Sequence, residues 1–185
     1  MTSIALDTIS ATESISDGHT IISAGGSFEL GFFSLGNSKY YLGIWFKKIS
    51  HGTVAWVANR ETPLTNSSGV LKFDDSGKLV LLNHDNLILW SSNISREVQN
   101  PVAQLLDSGN LVIRDENDIN SENHLWQSFH HPDQTFLPGM KIGRLADGLE
   151  VQLSSWKSAD DPSQGDLTFS SIPVGYRLSS HGIQV

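Results

Sequence analysis

A chain of 185 residues with a formal net charge of −8, 16 glycines and no cysteine has room for one domain, or one domain and part of another. No cluster of Lys or Arg offsets the acidic balance, so the electrostatic basis of nucleic-acid binding is missing. No apolar run approaches the ~20 residues of a membrane span, and without thiols neither a disulfide framework nor a thiolate metal site can form.

In chain order, residues 1–6 (MTSIAL) lack the basic start and apolar core of a secretory signal. Residues 7–23 carry Ile9, Ile15, Ile21 and Ile22 among polar residues, which predicts an edge strand running to a turn at Asp17 and Gly18. AGGSFELGFFS (24–34) and YYLGIWFKK (40–48), joined by a turn at 36–39, predict a hairpin. TVAWVANR (53–60) is a third β stretch, limited by Pro63. From 66 to 115, VLKF, KLVLL, NLILWSS, VAQLL and NLVIRD follow one another with only turn-length gaps. Three of these repeat one pattern of a turn entering an aliphatic strand: GKLVLL (77–82), DNLILW (85–90) and GNLVIR (109–114). Repetition of a unit that cannot bury its apolar face alone implies a symmetric all-β body.

DENDINSEN (115–123) has no apolar face and reads as an exposed loop. LWQSF (125–129) is a further strand. HHPDQTFLPGMKIG, with Pro132, Pro138 and Gly139, reads as an extended linker rather than a packed element. LEVQLSSWKS and DLTFSSI, separated by the loop ADDPSQGD, restart the strand pattern. Asn66 (NSS) and Asn93 (NIS) are candidate N-glycosylation sites in polar stretches between strands.

No catalytic constellation is present. There is no GxSxG elbow, no P-loop and no kinase glycine loop with its lysine and HRD partners. His130 and His131 are adjacent and point to opposite faces of an extended chain, which does not suit one metal ion. The acidic run Asp115, Glu116, Asp118 and Glu122 lacks the glycine of a calcium loop. No cofactor is expected.

GGSFELGFFS, YLGIWFKK, TVAWVANRETPLTNSSGVL, WSSN, NPVAQLLDSGNLVIRD, LWQSF, LPGMK and SSWKSADDPS resemble the amino-terminal region of plant S-locus glycoproteins and G-type lectin S-receptor-like kinases. The resemblance runs from about Asp7 to about Phe169. It implies a bulb-type lectin β-prism, three four-stranded sheets about a pseudo-threefold axis, with Trp45, Trp56, Trp90 and Trp126 mainly as packing residues. It further implies four segments: a signal-peptide remnant at 1–6, the lectin domain at 7–130, a Pro/Gly linker at 131–145 and the incomplete start of a second lectin-like unit at 146–185. The parent family is extracellular or at the plasma membrane, and its kinase domain has no residues here.

The related monocot lectins hold mannose through QxDxNxVxY, whose alternate residues converge on one face of a strand. Carried over, the pattern falls on Leu82, His84, Asn86, Ile88 and Trp90; on Leu106, Ser108, Asn110, Val112 and Arg114; and on Asp74, Ser76, Lys78, Val80 and Leu82. No copy keeps Gln, and none keeps Asp in its place. Asn86, Ile88, Trp90, Asn110 and Val112 are the remaining candidate sugar contacts. Each lost polar partner costs roughly 1 kcal/mol. The expectation is therefore a non-enzymatic recognition module for a protein or peptide ligand, or for a partner receptor ectodomain in a homo- or heterodimer. A mannose-type lectin is the second reading, and a truncated product without independent activity the third.

Overall fold

The computed structural model describes residues 6–36, 38–49, 53–94, 96, 98–118, 120, 123–172 and 175–180, with 172 and 175–180 as backbone. Twelve strands form three four-stranded antiparallel sheets. The first contains β1 (Thr8–Ser10), β10 (Pro101–Leu105), β11 (Leu111–Asp115) and β12 (Trp126–Gln127). The second contains β2 (Ser14–Ser16), β7 (Val70–Phe73), β8 (Leu79–Leu82) and β9 (Ile88–Ser91). The third contains β3 (Ile21–Ile22), β4 (Phe28–Ser34), β5 (Tyr40–Phe46) and β6 (Val54–Val57). This is the β-prism.

The predicted hairpin of the third sheet forms with seven paired positions, Phe28↔Phe46 to Ser34↔Tyr40. The opening stretch departs from expectation. Residues 7–23 make three short strands rather than one edge strand, and each becomes an edge of a different sheet. A chain that turns twice within 15 residues cannot bury all its isoleucines on one sheet; distributing them gives each sheet an apolar first strand.

That distribution generates the threefold symmetry. The inward-facing central row of the first sheet is Ile9–Ala103–Ile113–Trp126. In the second it is Ile15–Leu71–Leu81–Trp90, and in the third Ile21–Leu30–Ile44–Trp56. Each row begins with an isoleucine of the opening segment and ends with a tryptophan on the fourth strand. The aliphatic members are almost fully buried, and each Leu or Ile so placed contributes about 1.5–3 kcal/mol. The three indoles meet edge to face, with ring centroids 5.8 Å (Trp56–Trp90), 5.9 Å (Trp56–Trp126) and 5.5 Å (Trp90–Trp126) apart. Trp45 lies apart from them, on the opposite face of the third sheet against Phe33.

The sequence repeat has a different cause. DSG at 75–77 and at 107–109 makes the same hairpin turn: Gly77 N–H donates to Asp74 O and Asp74 N–H to Lys78 O, as Gly109 N–H donates to Leu106 O and Leu106 N–H to Asn110 O. The fourth turn residue has positive φ, 79° at Gly77 and 85° at Gly109. Asn86 fills this position in the turn before β9, at φ 61°, because asparagine tolerates the left-handed region better than other side chains. GKLVLL and DNLILW therefore become β8 and β9, neighbours in one sheet, and the repeat is one of turn chemistry rather than one copy per sheet.

Beyond the prism, β13 (Gly143–Arg144) pairs with β14 (Glu150–Val151), and β15 (Leu153–Ser158), β16 (Asp161–Ile172) and β17 (Gly175–Ser180) form a three-stranded sheet. The expected loop at 159–166 is mostly strand. Pro162 is accommodated at a register irregularity of the β15–β16 pairing, between Ser158↔Asp161 and Trp156↔Gln164. The segment around 131–145 is irregular but packed: Leu137 and Met140 join the core cluster.

Candidate functional site

The outward faces of the three sheets have diverged. The pattern positions for Val and Tyr fall on Val112 and Arg114 in the first sheet and on Val80 and Leu82 in the second, as the sequence reading has them. In the third sheet cross-strand register places Gly43 and Trp45 there. The copy centred on Asn86 has no sheet of its own and stands one residue out of phase with Asn110 and Lys78, because Asn86 is the fourth residue of its turn and they are the fifth.

The candidate contacts are thereby separated. Asn86 is exposed, Ile88 is 59% exposed on the outer face, and Trp90 turns inward to the other indoles. Val112 is fully buried and Asn110 nearly so. Asn110 Oδ1 accepts from Ser128 Oγ (3.2 Å) and Phe129 N (3.1 Å), while its Nδ2 donates to Gln127 Oε1 (3.0 Å). Its amide thus ties β11 to the chain leaving β12.

The sequence reading missed two glutamines. On the first sheet the outer row reads Thr8–Gln104–Val112–Gln127, which sets a carboxamide on either side of Val112. Gln104 Nε2 donates to Asp7 Oδ2 at 2.9 Å, and Arg114 Nε donates to Gln104 Oε1 at 3.3 Å. The equivalent row of the second sheet is Ser14–Lys72–Val80–Ser91. In the third, Gly31 and Gly43 stand opposite each other, overlaid by Trp45 and Phe33. The first row thus carries two carboxamides, the second serine and lysine around a valine, and the third glycines under aromatic rings. A glutamine inside the apolar run VAQLL was the available signal, but strand pairing alone puts it in one row with Gln127, across Val112.

At the tryptophan end, the partly buried Arg60 pairs with the buried Asp133. Arg60 Nη1 donates to Asp133 Oδ1 at 3.1 Å, Val57 N to Asp133 Oδ2 at 2.6 Å, and Arg60 Nη2 to Ser154 Oγ at 2.8 Å. Ser154 N–H donates to Asp133 O and Trp56 Nε1 to His131 O. Burial pushes the Asp133 carboxyl up to about 7 against the opposing pull of Arg60 and the Val57 amide. This clamp fastens the segment after β12, and through Ser154 the start of β15, to the prism. Among the described residues no group of His, Asp and Glu is arranged to hold a metal ion, and no helix is long and apolar enough to cross a membrane.

Three four-stranded sheets with outward-facing pattern rows define a lectin-type prism. The chain belongs to the D-mannose binding lectin family, which it matches over residues 53–157. It is 48% identical over 177 residues to a G-type lectin S-receptor-like serine/threonine-protein kinase of Arabidopsis thaliana, covering 94% of this chain and 21% of that protein. It is 46% identical over 189 residues to an S-locus-specific glycoprotein of Brassica oleracea, covering 97% of this chain and 43% of that one. The chain thus spans less than half the length of these curated relatives, and the resemblance read from the sequence is borne out. Among solved structures, a lectin of Marasmius oreades superposes with a TM-score of 0.50 at 16% identity, over 66% of this chain and 90% of that one, a likeness of fold.

Proposed function

We propose that the chain is a non-enzymatic recognition module of an S-domain receptor kinase or S-locus-type glycoprotein, acting at the plant cell surface by contact with a protein or peptide ligand or a partner ectodomain. The observation that carries this reading is the loss of sugar chemistry from the pattern rows, with Val80, Leu82 and the exposed Ile88 where a hydroxyl-binding row would stand. Val80 and Leu82 are themselves buried, and the exposed pair Leu87 and Ile88 beside them suits protein contact. Binding of the purified chain to peptides, receptor ectodomains and mannosides, compared side by side, tests it. Strong mannoside binding with no protein partner would reverse the order.

The second reading, a carbohydrate-binding face, is favoured by the Gln104–Val112–Gln127 row, where carboxamides flank an apolar floor. A glycan array with Gln104→Ala and Gln127→Ala as controls tests it. Asn66 and Asn93, both exposed, are proposed as glycan acceptors, with division of the chain into a lectin domain at 7–130, a linker at 131–145 and a second unit from 146. Glycosidase-induced mass shifts and limited proteolysis check these assignments.

A further inference from the structure

Two Asp–Gly pairs occur in the chain, Asp17–Gly18 between β2 and β3 and Asp147–Gly148 between β13 and β14. Both are exposed, and both glycines have positive φ, 81° and 88°. An aspartate before glycine is open to attack by its own backbone, because no Cβ on the next residue shields that amide nitrogen from the carboxyl. Identical in sequence, the two pairs are held differently. At Asp147 both reacting groups are engaged: Gly148 N–H donates to Leu145 O at 3.0 Å, and Asp147 Oδ1 accepts from Leu149 N at 3.0 Å. At Asp17 the turn is closed by His19 N–H donating to Ser16 O at 3.0 Å, a type II turn by the φ of Gly18, which leaves the Gly18 N–H outside the bond. Among the described residues neither this N–H nor the Asp17 carboxylate has a hydrogen-bond or ion-pair partner, and a Cβ built on Gly18 would meet nothing within 4 Å.

We propose that Asp17 is a modification site, isomerising spontaneously to isoaspartate, and that hydrogen bonding selects it over Asp147. The Gly18 nitrogen attacks Asp17 Cγ and forms a cyclic imide, while the carboxyl hydroxyl leaves as water with the amide proton. Water then adds to the former main-chain carbonyl carbon and breaks its bond to the Gly18 nitrogen. The chain now runs through the side-chain carboxyl, and the old main-chain carbonyl becomes a free α-carboxylate. One water is lost and one regained, so no oxidant or cofactor enters. The place gives the change a consequence. Here the chain crosses from an edge of the second sheet to an edge of the third, between the buried Ile15 and Ile21. An extra backbone methylene lengthens a crossing whose flanking strands are three and two residues long. The new α-carboxylate at the surface is a methyl acceptor for an isoaspartyl methyltransferase that uses S-adenosylmethionine.

The test ages the whole folded chain in neutral buffer and takes two readings at each Asp–Gly pair. One is cleavage by an endoproteinase that cuts before aspartate but not before isoaspartate; the other is methyl label transferred by an isoaspartyl methyltransferase. Loss of cleavage before Asp17 is expected, with label in the fragment 14–29 that cleavage after Glu13 and Glu29 releases and in which Asp17 is the only Asp or Asn. Asp147 should stay cleavable and unlabelled. In denaturant, where the turns are gone, both pairs should convert together. Asp17→Glu keeps the charge at an exposed position but would need a larger imide ring, so label in 14–29 should be lost, with the fold checked by tryptophan fluorescence. No conversion at Asp17 in the folded chain, conversion at Asp147 at an equal or greater rate, or label in 14–29 that survives Asp17→Glu would overturn the assignment.

Discussion

Asn110 separates architecture from activity most directly. Replacing it with alanine deletes one carboxamide that accepts from two groups and donates to a third. The Phe129 amide is buried and loses its partner, at a cost of about 1–3 kcal/mol. The Ser128 hydroxyl can rotate, although it must still accept from Leu111 N at 2.9 Å, and Gln127 is accessible enough to turn to water; these together add about 1 kcal/mol. The total, roughly 2–4 kcal/mol, lowers the melting temperature by about 5–12 °C for a domain of this size. Asn86→Ala is the comparison. It disturbs only a left-handed turn position on the surface, at about 1 kcal/mol, and Asn86→Gly is neutral or slightly stabilising. Denaturant unfolding of the three variants, followed by tryptophan fluorescence, gives the values. If Asn110→Ala unfolded with wild-type stability yet abolished binding to a mannoside, the structural role assigned to this residue would be wrong.

Two glycines of positive φ should respond unequally to alanine. A Cβ at Gly109 would stand 2.8 Å from Phe28 Cε1 and 2.9 Å from Leu137 Cδ1, whereas at Gly148 nothing lies within 4 Å; Gly109→Ala should cost at least about 2 kcal/mol and Gly148→Ala about 1 kcal/mol by equilibrium unfolding. Asp133, raised from 3.8 to about 7, binds its proton more tightly in the folded chain. Its contribution is therefore fully present below about pH 4 and lost as pH rises through 7, by up to about 4 kcal/mol relative to Asp133→Asn, and denaturation from pH 4 to 8 reads the difference. Trp126→Ala opens the indole cluster and should cost about 3–5 kcal/mol, with altered fluorescence of the remaining tryptophans.

The sequence was most informative where structure is local. The turns at 74–78 and 106–110 could be read from DSG because a glycine of positive φ and a preceding short polar residue define that hairpin wherever it occurs. The 28–46 hairpin was legible for the same reason. The same locality misled over the repeat, since one turn chemistry serves β7–β8, β8–β9 and β10–β11 alike and carries no information about which sheet receives the strand.

What the sequence by itself determined was the all-β class, the turns, the family and the erosion of the sugar pattern, all of which rest on residue identity and spacing of neighbours. Tertiary structure decided the rest. Ile9, Ile15 and Ile21 look like one strand until pairing with Ala103, Leu71 and Leu30 sends each to its own sheet. Gln104 and Gln127 are 23 positions apart, and only the register through Val112 sets them in one row. Arg60 meets Asp133 because the chain leaving β12 folds back over β6. Each of these is a long-range pairing, stabilised by burial of a shared core rather than by any local preference of the chain.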